Sequence, residues 1–211
     1  MKILVLDNYD SFTYNLVQYI TELTGDTPPS DRDGLSVFRN DEISLEDVAA
    51  YDAIVLSPGP GLPSEAGIMP ELIKKYASTK HIFGVCLGLQ AIGEAFGGSL
   101  YNLSKVYHGV ATMIQVTDNQ ELIFQNIPRE ILVGRYHSWA VKSENLPSEL
   151  KITATADNGK TIMAMSHREY NVRGVQFHPE SIMTDYGKQI LKNFFAPLST
   201  TVKSSAIEYV F

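Results

Sequence analysis

Short apolar runs alternate with helical patterns through the first half of the chain. Residues 2–6 predict a strand, after which Asp10 or Ser11 caps a helix whose Phe12, Leu16, Tyr19 and Leu23 share a face. Residues 35–39 predict a second strand. Ser44-Leu45-Glu46-Asp47 opens a short helix with a capping-box start. A third strand over 53–57 runs into Pro58-Gly59-Pro60-Gly61, and a helix follows at about 65–77. A fourth strand at 81–85 leads into a helix that spaces Leu89, Ile92 and Phe96 along one side. From about residue 110 the pattern shifts to shorter strands at 110–117, 130–136, 151–155, 161–166 and 172–177, some of them antiparallel. A last amphipathic helix, about 185–196, carries Ile190, Leu191, Phe194 and Phe195.

This rhythm predicts an α/β fold: an open, mostly parallel sheet flanked by helices, with additional short, partly antiparallel strands in the second half. Ligands of such sheets bind at the carboxyl ends of the strands. Asn8–Ser11, Pro58–Gly61 and Cys86 all follow strands and are expected on that rim. The polar Pro/Gly/Asp stretch at 25–34 reads as an exposed loop. One domain is expected over 1–198, with 199–211 a tail.

Composition narrows the function classes. The 211 residues are 44% hydrophobic and carry 17 basic against 24 acidic side chains, a net charge of -7. No Lys/Arg block or basic, aromatic-interleaved stretch is present, which argues against a nucleic-acid partner. A single cysteine can form neither an internal disulfide nor a multi-thiolate zinc site, so a reducing, cytoplasmic setting is expected. The apolar N-terminal run stops at Asp7, too short for a signal-peptide core, and no later run approaches membrane-spanning length.

A lone cysteine is by default an inert core residue. Cys86 differs because Gly84 and Gly88 flank it at a strand-to-helix corner, giving G-x-C-x-G, the nucleophile-elbow pattern with sulfur for oxygen. The tight turn lifts the side chain off the sheet and points free helix N–H groups at it. A nucleophile needs a base. Of five histidines, His178 stands out because Glu180 lies two positions on in an extended segment and therefore faces the same way. Pro179 disfavours helix at His178. The carboxylate would fix the ring tautomer and stabilise its cation. His81 and His167 look structural, His108 a surface turn, and His137 lacks a carboxylate neighbour but is placed to line the site. Pro58-Gly59-Pro60-Gly61 is either a rigid turn or one wall of an oxyanion hole, with the Gly59 N–H opposite that of Leu87.

Together, Ser57-Pro58-Gly59-Pro60-Gly61, Gly84-Val85-Cys86-Leu87-Gly88-Leu89-Gln90 and Gln176-Phe177-His178-Pro179-Glu180-Ser181 resemble the class I (triad) glutamine amidotransferases. The likeness runs over about residues 1–197. The opening Leu6-Asp7-Asn8-Tyr9-Asp10-Ser11-Phe12-Thr13-Tyr14-Asn15 and the stretch Arg135-Tyr136-His137-Ser138 are similar to anthranilate synthase component II and to the glutaminase subunit of aminodeoxychorismate synthase. The resemblance implies Cys86 as nucleophile, His178 as base and acid, and Glu180 as the orienting carboxylate. It implies that Gly59, Pro60, Gly61 and Leu87 surround the amide oxygen of L-glutamine. Gln90 would sit beside the amino-acid end, which Ser138 and Trp139 would hold through main-chain groups. It further implies a larger chorismate-binding synthase subunit that carries Mg²⁺, with no cofactor expected on this chain. Because closing the site on docking would suit coupled chemistry, low activity is expected without that partner. Trp139 stands where leucine is common, and Val110 follows His108-Gly109 where lysine is usual. The competing expectations are other amidotransferase branches, a stand-alone γ-glutamyl hydrolase and a non-catalytic regulatory subunit.

Overall fold

The computed structural model describes residues 1–25 and 34–204, with side chains as far as residue 198. The loop expected at 25–34 lies outside the described residues apart from its two ends, whereas the tail expected at 199–211 is helical backbone as far as residue 204 and outside the described residues beyond it. Numbered in chain order, the strands are β1 (Ile3–Asp7), β2 (Leu35–Arg39), β3 (Ala53–Leu56), β4 (His81–Val85), β5 (Leu100–Asn102), β6 (Val110–Val116), β7 (Glu130–Arg135), β8 (Trp139–Val141), β9 (Leu150–Ala156), β10 (Thr161–His167) and β11 (Val172–Val175). Nine of them form one large sheet in the order β2-β1-β3-β4-β11-β10-β9-β6-β7, and β5 pairs with β8 in a separate ribbon. From β2 to β11 every pairing is parallel. From β11 to β7 every pairing is antiparallel.

Burial on both sides explains the unbroken apolar runs of β1, β3 and β4. Ile3, Val5, Val55, Phe83 and Val85 pack on one face with Leu16, Ile20, Ile190 and Phe194 from helices α1 (Thr13–Thr24) and α4 (Gly187–Ser204). Leu4, Leu6, Ile54, Leu56 and Ile82 point the other way, onto α2 (Met69–Tyr76) and α3 (Leu87–Ala95). Period-two alternation thus sorts each strand between two cores.

Several boundaries differ from the pattern reading. The first helix starts at Thr13, because Asp10 spends its carboxylate on the Phe12 N–H, 2.8 Å away, closing a turn before the helix. Its buried face is Thr13, Leu16, Val17 and Ile20, with Tyr19 and Leu23 at the margin. The capping box expected at Ser44 does not form: its hydroxyl accepts the Asp47 N–H but donates to the Asp47 carboxylate at 2.6 Å, so that carboxylate does not reach back to the Ser44 backbone, and only a single 3₁₀ turn capped by Glu46 follows. The expected helix at 65–77 is split, since Gly67 takes a positive φ and packs its α-carbon against the Asn40 backbone. The final helix continues through Pro197 to Ser204. Among the described residues no helix is long and apolar enough to cross a membrane.

Candidate active site

Four strand ends converge at one rim. Cys86 leaves β4 with φ 52° and ψ −99°, a conformation that costs a non-glycine residue about 1–3 kcal/mol. What holds it there is close packing on both sides. A side chain at Gly84 would meet the Gly88 backbone at 2.5 Å, and one at Gly88 would meet the Leu56 carbonyl oxygen at 2.7 Å. The Cys86 N–H donates to the Val175 carbonyl, 2.8 Å away, tying the elbow to β11. Cys86 is 6% exposed, and helix α3 begins directly after it. The first N–H groups of α3, starting at Leu87, have no intrahelical acceptor.

The loop after β3 forms the facing wall. A side chain at Gly59 would collide with Asn8 at 2.6 Å and with the Leu87 side chain at 2.9 Å, so the two expected oxyanion-hole residues are neighbours. Asn8 fixes this wall: its N–H donates to Ser57 Oγ, its side-chain amide donates to the Ser57 carbonyl, and its Oδ1 accepts from Asn40. Gly61 turns with φ +74° beside Glu65, whose carboxylate accepts the Leu62 N–H.

Beyond β11 the extended segment places His178 Nδ1 2.6 Å from Glu180 Oε1, both side chains buried. Phe12 and Tyr136 wall the ring at 5.8 and 4.8 Å between centroids. Ring nitrogen Nε2 is buried without a hydrogen-bond partner, as is Glu180 Oε2. Burial works against the charged imidazole. The adjacent Cys86 sulfur and then the Glu180 carboxylate outweigh it and raise its pKa to about 10. An imidazolium beside a sulfur suits a thiolate. The structure therefore brings Cys86, His178 and Glu180 into one constellation, with Gly59 and Leu87 alongside.

The remaining expected ligands of glutamine are placed differently. Gln90 is buried, and its Nε2 donates to the Trp139 carbonyl at 2.9 Å and to Gln176 Oε1 at 3.2 Å. Trp139 O also accepts from His137 Nδ1 at 2.8 Å, so both of its lone pairs are engaged. Ser138 O accepts the Leu103 N–H at 2.7 Å. Pro60 stays on the rim. His137 lines the site, and burial above all lowers its pKa to about 4. His167 is structural as expected: its Nδ1 accepts two backbone N–H groups and its ring stacks on Tyr170. His108 lies in a turn against Tyr136.

Two residues escaped the sequence reading. Gln176 donates to Cys86 Sγ at 3.4 Å. Arg135, fully buried, donates through Nε to His137 Nε2 at 3.1 Å and through Nη1 to Asp157. The available signal was that Arg135 and His137 stand two apart in an extended segment and so face the same way. Among the described residues no three His, Cys, Asp or Glu side chains converge as metal ligands would.

The family model for glutamine amidotransferase class-I matches residues 4–198. The aminodeoxychorismate/anthranilate synthase component 2 of Bacillus subtilis is 45% identical over 91% of this chain and 94% of that one. Anthranilate synthase component 2 of Pseudomonas aeruginosa is 44% identical, again over 91% of this chain and 94% of its own. Among solved structures, a candidate GMP synthase subunit from Thermoplasma acidophilum superposes with a TM-score of 0.81 at 27% identity, covering 98% of each chain.

Proposed function

The chain belongs to the class-I glutamine amidotransferases, and on that premise we propose that it is the glutaminase subunit of a chorismate-using synthase, one that makes anthranilate for tryptophan. The same subunit serving an aminodeoxychorismate synthase, alone or as well, is the second reading. The dual name of the Bacillus subtilis relative supports keeping it. A GMP synthase role has weaker support, since that neighbour shares 27% of positions against 44–45% for the component 2 proteins. The observation that carries catalysis is the buried Glu180–His178 pair set beside the sulfur of a strained elbow.

In the proposed reaction the Cys86 thiolate attacks the side-chain amide carbon of glutamine. The Leu87 and Gly59 N–H groups take the oxyanion, each such donor being worth roughly 3 kcal/mol. His178 gives its proton to the leaving nitrogen, the C–N bond breaks, and ammonia departs from a γ-glutamyl thioester. His178 then takes a proton from water as its oxygen attacks the thioester, and glutamate leaves as the thiolate re-forms. Glu180 holds the ring and balances its charge throughout. Free ammonia would protonate and escape in solvent, so useful transfer calls for a docked synthase that supplies chorismate and Mg²⁺. We place this complex in the cytoplasm and expect docking to raise turnover by closing the site.

The test is Cys86→Ala in the complex with each candidate synthase. Glutamine-dependent synthesis should vanish while ammonia-dependent synthesis persists. Retained glutamine use would refute the assignment, and the synthase that yields product identifies the branch.

A further inference from the structure

The hydrogen bonds behind the nucleophile run in one enforced direction. A carbonyl oxygen only accepts, so Trp139 O requires a proton on His137 Nδ1. That leaves His137 Nε2 bare, as Arg135 Nε needs. The same carbonyl holds the Gln90 amide nitrogen, whose second proton goes to Gln176 Oε1. Gln176 must therefore turn its own nitrogen to Cys86 Sγ, 3.4 Å away. Gln176 is wholly buried, as is Arg135, while Gln90 and His137 are 3% and 5% exposed, so water does not compete for these groups.

From this geometry we propose that Gln176 is a catalytic residue: its amide N–H donates to the Cys86 sulfur and favours the thiolate, and Gln90, Trp139, His137 and Arg135 lock the amide in that orientation. A sulfur that receives an N–H is better matched by an anion than by a thiol. The titratable and charged groups around it are His178, with Glu180 behind, and farther back His137 beside Arg135 and Asp157. The proposal rests on Cys86 being the nucleophile, and its test separates the two ideas.

Cys86 is the only cysteine, so alkylation by iodoacetamide, which forms an S–C bond and expels iodide, reports one thiol. Its rate is measured against pH for the intact chain and for Gln176→Met, which keeps the length of the side chain and loses the donor. The pH midpoint should rise by about one unit or more, and alkylation at pH values well below the midpoint should slow about tenfold, as expected for a lost hydrogen bond to an ion. His137→Phe, which releases the lock, should raise the midpoint by less, whereas a purely structural role would move the melting temperature alone. An unchanged midpoint in folded Gln176→Met overturns the proposal. Should that variant not fold, the unaltered protein decides: the Gln176 side-chain amide proton must shift in NMR as the thiol titrates, and a static resonance overturns it. Failure of the nucleophile assignment shows elsewhere, as glutamine turnover by Cys86→Ala.

Discussion

Gly88→Ala probes the elbow with the least chemistry. The added carbon would stand 2.7 Å from the Leu56 carbonyl oxygen and 2.8 Å from its Cβ, where ordinary contact begins at 3.4 Å. Leu56 ends a central strand and is fully buried, so it cannot retreat. The start of α3 must instead lift by about 0.7 Å, the difference between those contact distances. Overpacking of this kind costs about 1–3 kcal/mol. For a domain of this size that corresponds to a Tm lower by about 2–12 °C. The same displacement carries the Leu87 N–H away from the oxyanion position. Misplacement on that scale slows reactions roughly tenfold to a hundredfold. Differential scanning fluorimetry and glutamine-dependent synthesis in the complex measure the two effects, and ammonia-dependent synthesis should be spared. Gly25→Ala is the control: its φ is +75° with nothing within 4 Å. It should cost about 1–2 kcal/mol of stability through strain and leave kcat alone. A Gly88→Ala protein with the parent's Tm and kcat would refute the packing argument.

Two further outcomes follow from the site. Glu180→Gln keeps the shape but removes the charge bonded to His178 Nδ1, so kcat with glutamine should fall about 10²–10⁴-fold. The imidazole pKa should move down in NMR titration, and an unmoved pKa would count against Glu180 as its charge partner. His137, held neutral to about pH 4 against 6.5 when unfolded, contributes stability that is complete above pH 6.5. That contribution, at most roughly 3 kcal/mol, is lost as pH falls from 6.5 to 4, because the unfolded chain takes up a proton the native one refuses. Urea unfolding across that window should be flatter for His137→Gln, and equal slopes would contradict the assignment.

What the pattern of residues revealed was local in origin. The elbow is legible because both glycines lie two positions from Cys86, and the His178–Glu180 pair because two residues of extended chain suffice to align them. Strands with both faces buried announce themselves as unbroken apolar runs, which is why β4 carries its expected bounds. Three-residue strands such as β5 and β8 are too short to show a period, and only their pairing with each other defines them. Gln176 reads as one more polar residue at a strand end. Its partner sulfur lies 90 positions away, a distance no periodicity spans. Arg135 reads as a surface charge, and only the ring of Tyr107, 3.5 Å from its guanidinium carbon, together with Asp157, makes its burial intelligible.

The strand that leads to Gln176 and His178 is the one that joins the two halves of the sheet, wedged between β4 and β10. Among the described residues it is also the last strand. Until that strand is made, a nascent polypeptide lacks the Val175 carbonyl that receives the Cys86 N–H, and Cys86 has neither imidazole nor carboxylate beside it. Such late, long-range closure is slow in folding terms. It also means that a half-synthesised chain has no means of consuming glutamine, so competence arrives only with a finished sheet.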